Sequence, residues 1–199
     1  MLEIRAGKVQ DAQALAPLVL LSATQLLPFI FGSRQQALSY LLQASAQEDG
    51  QYSASRHFVA VEGEDVIACM SLWHDSMPLA FQQSTVKSLS DFLSASQLSH
   101  IISINKRLAT LFLAPQTDEL CVGHLAVDKA WQGKQVASKL VAHAITQAKA
   151  MGKSKLVLDV DMSNQSAIRF YQKWDFMPKH SQEFEPTGQC FLRMQRYIL

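Results

Sequence analysis

The fold is decided by residues 119–138, which read ELCVGHLAVDKAWQGKQVAS. The first part, Leu120–Val127, is apolar enough to form a buried strand, and Gln132-Gly133-Lys134 opens a helix after a tight connection. A strand that leads directly into a helix places unpaired backbone N–H groups and the positive end of a helix dipole at one spot. The stretch therefore predicts an anion-binding site.

The composition is that of a globular protein of ordinary size. The chain has 199 residues, of which 48% are apolar and 18% charged, and its net charge is +1. This length predicts one domain spanning 1–199. We expect no nucleic-acid partner, because the chain has no excess of basic residues. The three cysteines, Cys69, Cys121 and Cys190, are far apart and lack a CxxC or His-rich pattern. They indicate reduced, mostly buried thiols, with neither a disulfide framework nor a metal site.

The sequence shows no membrane or targeting segment. The longest apolar stretch, Ala14–Leu21, contains Pro17 and is much shorter than the roughly 20 residues that a spanning helix needs. The first residues carry charges where a signal peptide has its apolar centre. We therefore expect a cytoplasmic protein with no membrane partner.

The first third of the chain predicts a short strand at residues 2–5 and a helix that starts near Asp11. Pro17 indicates a kink in that helix or the start of a second one. An irregular apolar run over Leu26–Phe31 is expected to end at Gly32, and Ser33 then caps a further helix.

The middle of the chain predicts a hairpin followed by a helical insert. The alternating runs His57–Val61 and Val66–Trp73, joined by a turn with glycine, favour an antiparallel hairpin. Residues from about 75 to 114 have helical periodicity until Pro115. The insert is expected to be simply packed on the core, or else to cap the active cleft or form an oligomer surface.

The last third predicts strands that alternate with helices. Strands are expected at Leu120–Val127, Lys155–Asp161 and Gln189–Tyr197, with helices at Lys134–Met151 and Ser166–Trp174 between them. This order implies parallel pairing through right-handed crossovers, beside the antiparallel hairpin. The result is a mixed α/β sheet.

Two motifs in this region resemble those of one known superfamily. Residues 132–137, QGKQVA, are similar to the pattern Gln/Arg-x-x-Gly-x-Gly/Ala, and residues 164–176, NQSAIRFYQKWDF, to Asn-x-x-Ala-x-x-Phe-Tyr-x-Lys-x-Gly-Phe. These are the coenzyme A pyrophosphate loop and the second signature of the GNAT superfamily of N-acetyltransferases. The resemblance covers residues 119–178. It departs from the pattern at Gln135 and Asp175, which replace glycines, and Asp tolerates a left-handed backbone better than most residues.

The resemblance implies a GNAT-like α/β fold. Its central sheet is expected to be mixed and mostly antiparallel, with parallel splayed strands at the cofactor site, flanking helices and the helical insert as an addition. Acetyl-CoA is then the acyl donor, bound without a metal. The cofactor-binding residues expected on this basis are Leu125, Ala126 and Val127 beside the pantetheine arm, Gln132, Gly133, Lys134, Gln135, Val136, Ala137 and Ser138 around the pyrophosphate, and Asn164. Asn164 also suits the role of a helix cap.

The resemblance further implies catalytic roles. Tyr171 stands where the family has the acid that protonates the departing thiolate, although it could instead be a packing aromatic residue. Glu119 is the expected general base, since family members with a base on this strand carry it near Cys121; it could also be a solvated strand-end charge. His124 is the rival base, on the opposite face if the strand is regular.

The function expected from these observations is transfer of an acetyl group from acetyl-CoA to an amine. The amine belongs to a small molecule or a protein and attacks directly in a ternary complex. Asp159 and Asp161 are candidates to hold a cationic acceptor, and the alternative is that they are strand-end surface charges. The alternative is a non-catalytic acyl-CoA-binding or regulatory module of the same fold. A nucleotide-binding protein is disfavoured because Gly-x-Gly-x-x-Gly and Gly-Lys-Ser/Thr are absent. A homodimer is compatible with the insert and the final strand.

Overall fold

A computed structural model describes residues 2–198, in which seven strands form one sheet. The strands, in chain order, are β1 Glu3–Ala6, β2 His57–Glu62, β3 Asp65–Trp73, β4 Glu119–Val127, β5 Lys155–Asp161, β6 Met177–Phe184 and β7 Gln189–Tyr197. Their order in the sheet is β1-β2-β3-β4-β5-β7-β6. All neighbours are antiparallel except β4 and β5, which are parallel. This confirms the predicted mixed, mostly antiparallel sheet.

Helices cover both faces of the sheet. They are α1 Ala12–Ser22, α2 Leu26–Phe31, α3 Arg34–Ser45, α4 Leu79–Phe92, α5 Ala95–Leu111, α6 Val136–Ala150 and α7 Gln165–Lys173. One apolar cluster joins α6 and α7 to their face of the sheet, and a second cluster joins α1 to α5 to the other face. Alternate strand residues therefore belong to different clusters.

One expectation for the first third of the chain is corrected, and one of the two alternatives at Pro17 is excluded. The run Leu26–Phe31 is not irregular but forms α2, because Leu27, Ile30 and Phe31 lie on one helical face and are buried. It ends at Gly32, whose φ of 84° stops the helix. Pro17 lies inside α1, so no second helix begins there.

One strand was not predicted. The residues of β6 from Met177 to Glu183 are exposed, and only Phe184 is buried. An exposed strand at the edge of a sheet shows no alternation between apolar and polar residues, so periodicity cannot reveal it. Because β6 and β7 are antiparallel neighbours, the parallel pairing expected for the last third is limited to β4 and β5.

The parallel strands β4 and β5 separate soon after they pair. Their pairing covers only Glu119 with Lys155, Leu120 with Leu156 and Cys121 with Val157. Beyond this point β4 stays paired to β3 and β5 to β7, so a gap opens toward the carboxyl ends of the two strands. The predicted splay is therefore present.

The helical insert crosses this gap. At one side, the ring of Phe81 contacts that of Trp73 at the end of β3, with 5.5 Å between centroids. At the other side, Phe112 contacts Phe191 on β7, with 5.0 Å between centroids. Since β4 and β5 lie between β3 and β7 in the sheet, α4 and α5 cross one face of the gap. The arrangement favours the cap over a remote oligomer surface.

A buried arginine ties the closed end of the gap together. Arg193 on β7 is 4% exposed and donates to Asp159 of β5 at 2.9 Å and to the Leu113 carbonyl after α5 at 3.1 Å. Its guanidinium also lies 3.5 Å from the Glu119 carboxylate of β4. One side chain thus joins three strands and the insert.

Among residues 2–198, every helix is too short or too polar to span a bilayer.

Replacing Arg193 by Met should lower the free energy of unfolding by about 3–5 kcal/mol, because two buried carboxylates lose their cation. Urea unfolding followed by circular dichroism measures this change. Arg196→Met, on the same strand, is the control. Arg196 contacts the Trp174 carbonyl at 2.9 Å and is more exposed, so we expect a loss of about 1 kcal/mol. Equal losses in the two variants would contradict the proposed importance of the Arg193 cluster.

Candidate active site

The loop before α6 presents a group of unpaired N–H donors. In the part of the chain that the structure describes, the backbone N–H groups of residues 133–138 have no hydrogen-bond acceptor. The N–H of Gln132 is different, since it donates to the Lys129 carbonyl at 3.4 Å. The Gln132 side chain in turn donates to the Val127 carbonyl at 3.2 Å, which closes the turn. A diphosphate would supply the acceptors that the free donors lack.

Positive φ angles explain why the family pattern has glycine at two positions of the motifs. Gln135 has a φ of 63° and Gly133 a φ of 76°, so both residues are left-handed. Asp175, at the second glycine position of the motifs, has a φ of 59°. The two departures from the family pattern therefore keep the glycine-like conformation at a cost of about 1 kcal/mol each.

A positive charge stands beside the loop. The Lys134 ammonium lies 4.5 Å from the centroid of the Trp131 ring, as in a cation–π contact. This contact holds the charge next to the free N–H groups, where it favours an anion.

Strand β4 is interrupted by a bulge at His124. Between the pairs Cys69–Ala126 and Ser71–Gly123, β4 contains one residue more than β3, and His124 has a φ of 47°. The strand is therefore not regular, and His124 faces the same side as Cys121 rather than the opposite one. Periodicity cannot show this because the bulge shifts the alternation by one residue.

Two hydrogen-bonded histidine side chains, one on β2 and one on β4, lead to the gap. His57 Nδ1–H donates to the Ser53 carbonyl at 2.9 Å, which leaves His57 Nε2 as an acceptor. His57 Nε2 lies 3.0 Å from His124 Nδ1, so His124 Nδ1–H is the donor. Burial lowers the pKa of His57 to about 4 and that of His124 to about 3, so both rings are neutral. The remaining nitrogen, His124 Nε2, then carries a free lone pair.

A cavity of about 800 Å³ occupies the gap between β4 and β5. Its wall is built from the splayed strand ends, the start of α7, the connection between α1 and α2, and the insert. The wall includes Cys121, His124, Asp159, Asn164 and Tyr171. The splay thus brings most of the predicted catalytic and acceptor-binding residues to one place.

Tyr171 presents a hydroxyl at the cavity. Its ring packs edge-on against Phe170 and Phe176, with centroids 5.3 Å and 5.6 Å away. The hydroxyl makes no hydrogen bond within residues 2–198 and is not sealed in the core. Burial raises the pKa of Tyr171, so the group is a protonated donor at neutral pH. Both expected roles, packing and presentation of an acidic proton, are therefore compatible.

Asn164 caps α7, as expected for one of its two roles. Its Oδ1 accepts from the Ala167 N–H at 3.1 Å and from the Ser166 hydroxyl at 2.9 Å. The Asn164 amide nitrogen has no partner within the described residues and can still donate into the cavity.

Glu119 lies at the closed end of the gap. It is 4% exposed, its Oε2 accepts from the Gln116 N–H at 3.0 Å, and Arg193 lies 3.5 Å away. It is therefore not a solvated strand-end charge. Its carboxylate lies outside the cavity wall, so its role as a base stays a prediction.

The remaining polar groups of the wall are a thiol and two carboxylates. Burial, with a smaller contribution from Asp159, raises the pKa of the Cys121 thiol to about 12. Asp159 is held by Arg193, and Asp161 accepts from the Gln189 amide at 2.6 Å. Of the three free cysteines only Cys69 is buried, while the other two are half-buried. No group of three His, Cys, Asp or Glu within residues 2–198 is arranged to hold a metal ion.

Comparison with known proteins identifies the family. The sequence profile of the acetyltransferase (GNAT) family matches residues 23–176, which is more than half of the chain. The chain therefore belongs to the GNAT acetyltransferase family, whose fold binds acetyl-CoA. No curated protein matches the sequence.

Solved structures agree with this fold. A crystal structure of an acetyltransferase is 23% identical, covers 99% of this chain and 100% of its own, and has a TM-score of 0.64. An N-acetyltransferase from Staphylococcus aureus Mu50 is 15% identical, with coverages of 98% and 100% and a TM-score of 0.69. The structure of yncA from Salmonella typhimurium, solved with its cofactor acetyl-CoA, is 14% identical, with coverages of 100% and 95% and a TM-score of 0.55.

Replacing Gln135 by Gly should raise the free energy of unfolding by about 0.5–1 kcal/mol, because glycine adopts a positive φ without strain. The matched control is Gln147→Gly within α6, where the same substitution should cost about 0.5–1 kcal/mol. Urea unfolding measures the change in the free energy of unfolding of each variant, and the two changes should have opposite signs. A loss of stability in Gln135→Gly would show that the left-handed residue is not strained.

Proposed function

We propose that the protein is an acetyl-CoA-dependent N-acetyltransferase in which an amine attacks the acetyl thioester directly. The observation that carries this proposal is the placement of two features at one end of β4. The free N–H groups of residues 133–138 follow β4 in the chain, at the end where it has separated from β5, and Tyr171 lines the cavity between the two strands. Acetyl-CoA, when bound, supplies the activated acetyl group.

The residues of the loop and the strand end suit a long phosphate-bearing ligand. The predicted set from Gln132 to Ser138 offers backbone donors for a diphosphate, with Lys134 as the nearby cation. The strand end Leu125–Val127 has no β5 partner, so its backbone can pair with an extended amide arm. Asn164 can donate to the same arm.

Tyr171 is proposed as the acid. As the carbon–sulfur bond breaks, negative charge develops on sulfur, and the protonated phenol donates a hydrogen bond and then its proton. The amine nitrogen forms the new bond to the carbonyl carbon and releases its own proton to a base. An acyl-enzyme on Cys121 is disfavoured, because a thiol whose pKa is about 12 is not a nucleophilic thiolate at neutral pH.

Two residues compete for the role of base. Glu119, the predicted base, keeps its carboxylate between Gln116 and Arg193. His124 lines the cavity, and its Nε2 is free to accept a hydrogen bond from the attacking amine, whose N–H becomes more acidic as the new bond forms. The geometry favours His124, and Glu119 remains the alternative.

Two variants should separate cofactor binding from transfer. Gly133→Glu places a carboxylate among the N–H groups proposed to bind the diphosphate, so the Kd for acetyl-CoA measured by calorimetry should rise at least about tenfold.

Tyr171→Phe should leave the Kd unchanged and lower kcat by about 100-fold, because only the acidic proton is lost.

The control for the first variant is Gly63→Glu in the β2–β3 turn. Gly63 and Gly133 both have a positive φ, and an added Cβ would meet no atom within 4 Å at either site. An unchanged Kd is expected in Gly63→Glu. Absence of acetyl-CoA binding by the unmodified protein would overturn the proposed function. Binding without transfer to any amine would instead favour the non-catalytic module.

The base can be identified with His124→Asn and Glu119→Gln. Asparagine tolerates the left-handed backbone and can still donate to His57, but it lacks the Nε2 lone pair. We expect kcat to fall by about 100-fold in His124→Asn and to change less in Glu119→Gln, with unfolding measured for both. The reverse order, at equal stability, would assign the base to Glu119.

A further inference from the structure

The acceptor side of the cavity has an unusual balance of charge. Among its wall residues within the described chain, only Asp159 and Asp161 are charged, and lysine and arginine are absent. Arg193 lies behind this wall, 4% exposed, with its donors directed to Asp159 and the Leu113 carbonyl. An anionic group on the acceptor would therefore lose its water without gaining a cation.

The rest of this wall is apolar and aromatic. Residues from α2 and the insert contribute mostly aliphatic and aromatic side chains, including Leu27, Ile30, Leu89, Ile101, Leu108 and Phe112. Such a wall binds an apolar body by removing its surface from water.

Two aromatic rings pack against the ring of His124 in the cavity wall. Tyr52 stacks on the His124 ring at 5.3 Å, and Trp73 meets it edge-on at 5.7 Å, between centroids. The Trp73 indole also lies across Gly123, where an added Cβ would come within 2.4 Å of its nitrogen. Aromatic faces and carboxylates both attract an alkylammonium ion as it enters. His124 Nε2 then offers an acceptor for the amine hydrogen.

The insert limits the size of the acceptor. On one side of the gap the Gln51 N–H donates to Thr85 Oγ1 at 2.8 Å, and on the other Arg107 pairs with Glu185 at 2.7 Å. These contacts anchor α4 and α5 over a cavity of about 800 Å³, which the acyl end of the cofactor must share. The remaining space suits a small molecule better than a segment of a folded protein.

We propose that the acceptor is a small primary amine on an apolar, aromatic-sized body that carries neither a carboxylate nor a phosphate. This inference rests on the proposed N-acetyltransferase function and specifies its substrate class. It disfavours amino acids, polyhydroxylated antibiotics and protein lysines among the expected acceptors.

The test compares 2-phenylethylamine, L-phenylalaninol and L-phenylalanine as acceptors with the protein and acetyl-CoA. The last two carry a substituent at the same carbon, neutral in one and anionic in the other. We expect kcat/KM for phenylalanine to be at least about 100-fold below that of phenylethylamine, and phenylalaninol to lie within about tenfold of phenylethylamine. The increase in Tm that each amine causes with coenzyme A present should follow the same order.

A variant that adds a positive charge to the wall tests the cause. Asn105→Arg adds a cation to the cavity wall on α5 and should raise the phenylalanine-to-phenylethylamine ratio of kcat/KM at least about tenfold. Ser103→Arg is the matched control, because Ser103 is exposed on the same helix outside the wall, and its ratio should not change.

The possible failures can be told apart. Transfer to phenylalanine or to a lysine peptide that equals or exceeds transfer to phenylethylamine would overturn the acceptor class alone. Acetyl-CoA binding without transfer to any amine would overturn the proposed function, and the acceptor class with it.

Discussion

The buried guanidinium of Arg193 is the interaction on which the site depends. Taking a cation and two carboxylates out of water is costly, so their geometry must be well matched. Here the three charges come from β7, β5 and β4, and the remaining Arg193 donor meets the chain just after α5. The cluster therefore holds β4, β5 and β7 together next to the point where β4 and β5 stop pairing, and it ties the end of the insert to them. The gap between the strands begins directly beyond it.

Backbone strain is concentrated beside the gap. Within the described chain, the non-glycine residues with positive φ are His124, Gln135 and Asp175, and the first two flank the expected path of the ligand. At His124 the bulge turns a side chain toward the cavity, and at Gln135 the loop directs N–H groups outward. Each conformation costs about 1–2 kcal/mol, which the surrounding fold must supply. Strain that persists at these positions is consistent with a functional constraint.

The sequence was informative where local chemistry decides the structure. The loop, the hairpin and the Asn164 cap follow from motifs and alternation, which depend on neighbours along the chain. The His57–His124 contact and the Arg193 cluster join residues far apart in sequence, so no local pattern shows them. The bulge at His124 also reverses the face that simple alternation assigns. Strand β6 was missed because its exposed edge carries no apolar period.

The loop before α6 and the cavity wall differ in the groups that form them: backbone N–H groups in the loop and side chains in the wall. The donors around the phosphate loop are backbone N–H groups, so a change such as glycine to Gln135 preserves them as long as φ stays positive. The proposed acceptor half is built from side chains on α2, α4 and α5, whose replacement need not disturb the sheet. A recognisable cofactor motif can therefore coexist with an acceptor cavity that no motif describes. Because the insert supplies much of that cavity, the specificity of this protein should depend on the segment that the family pattern explains least.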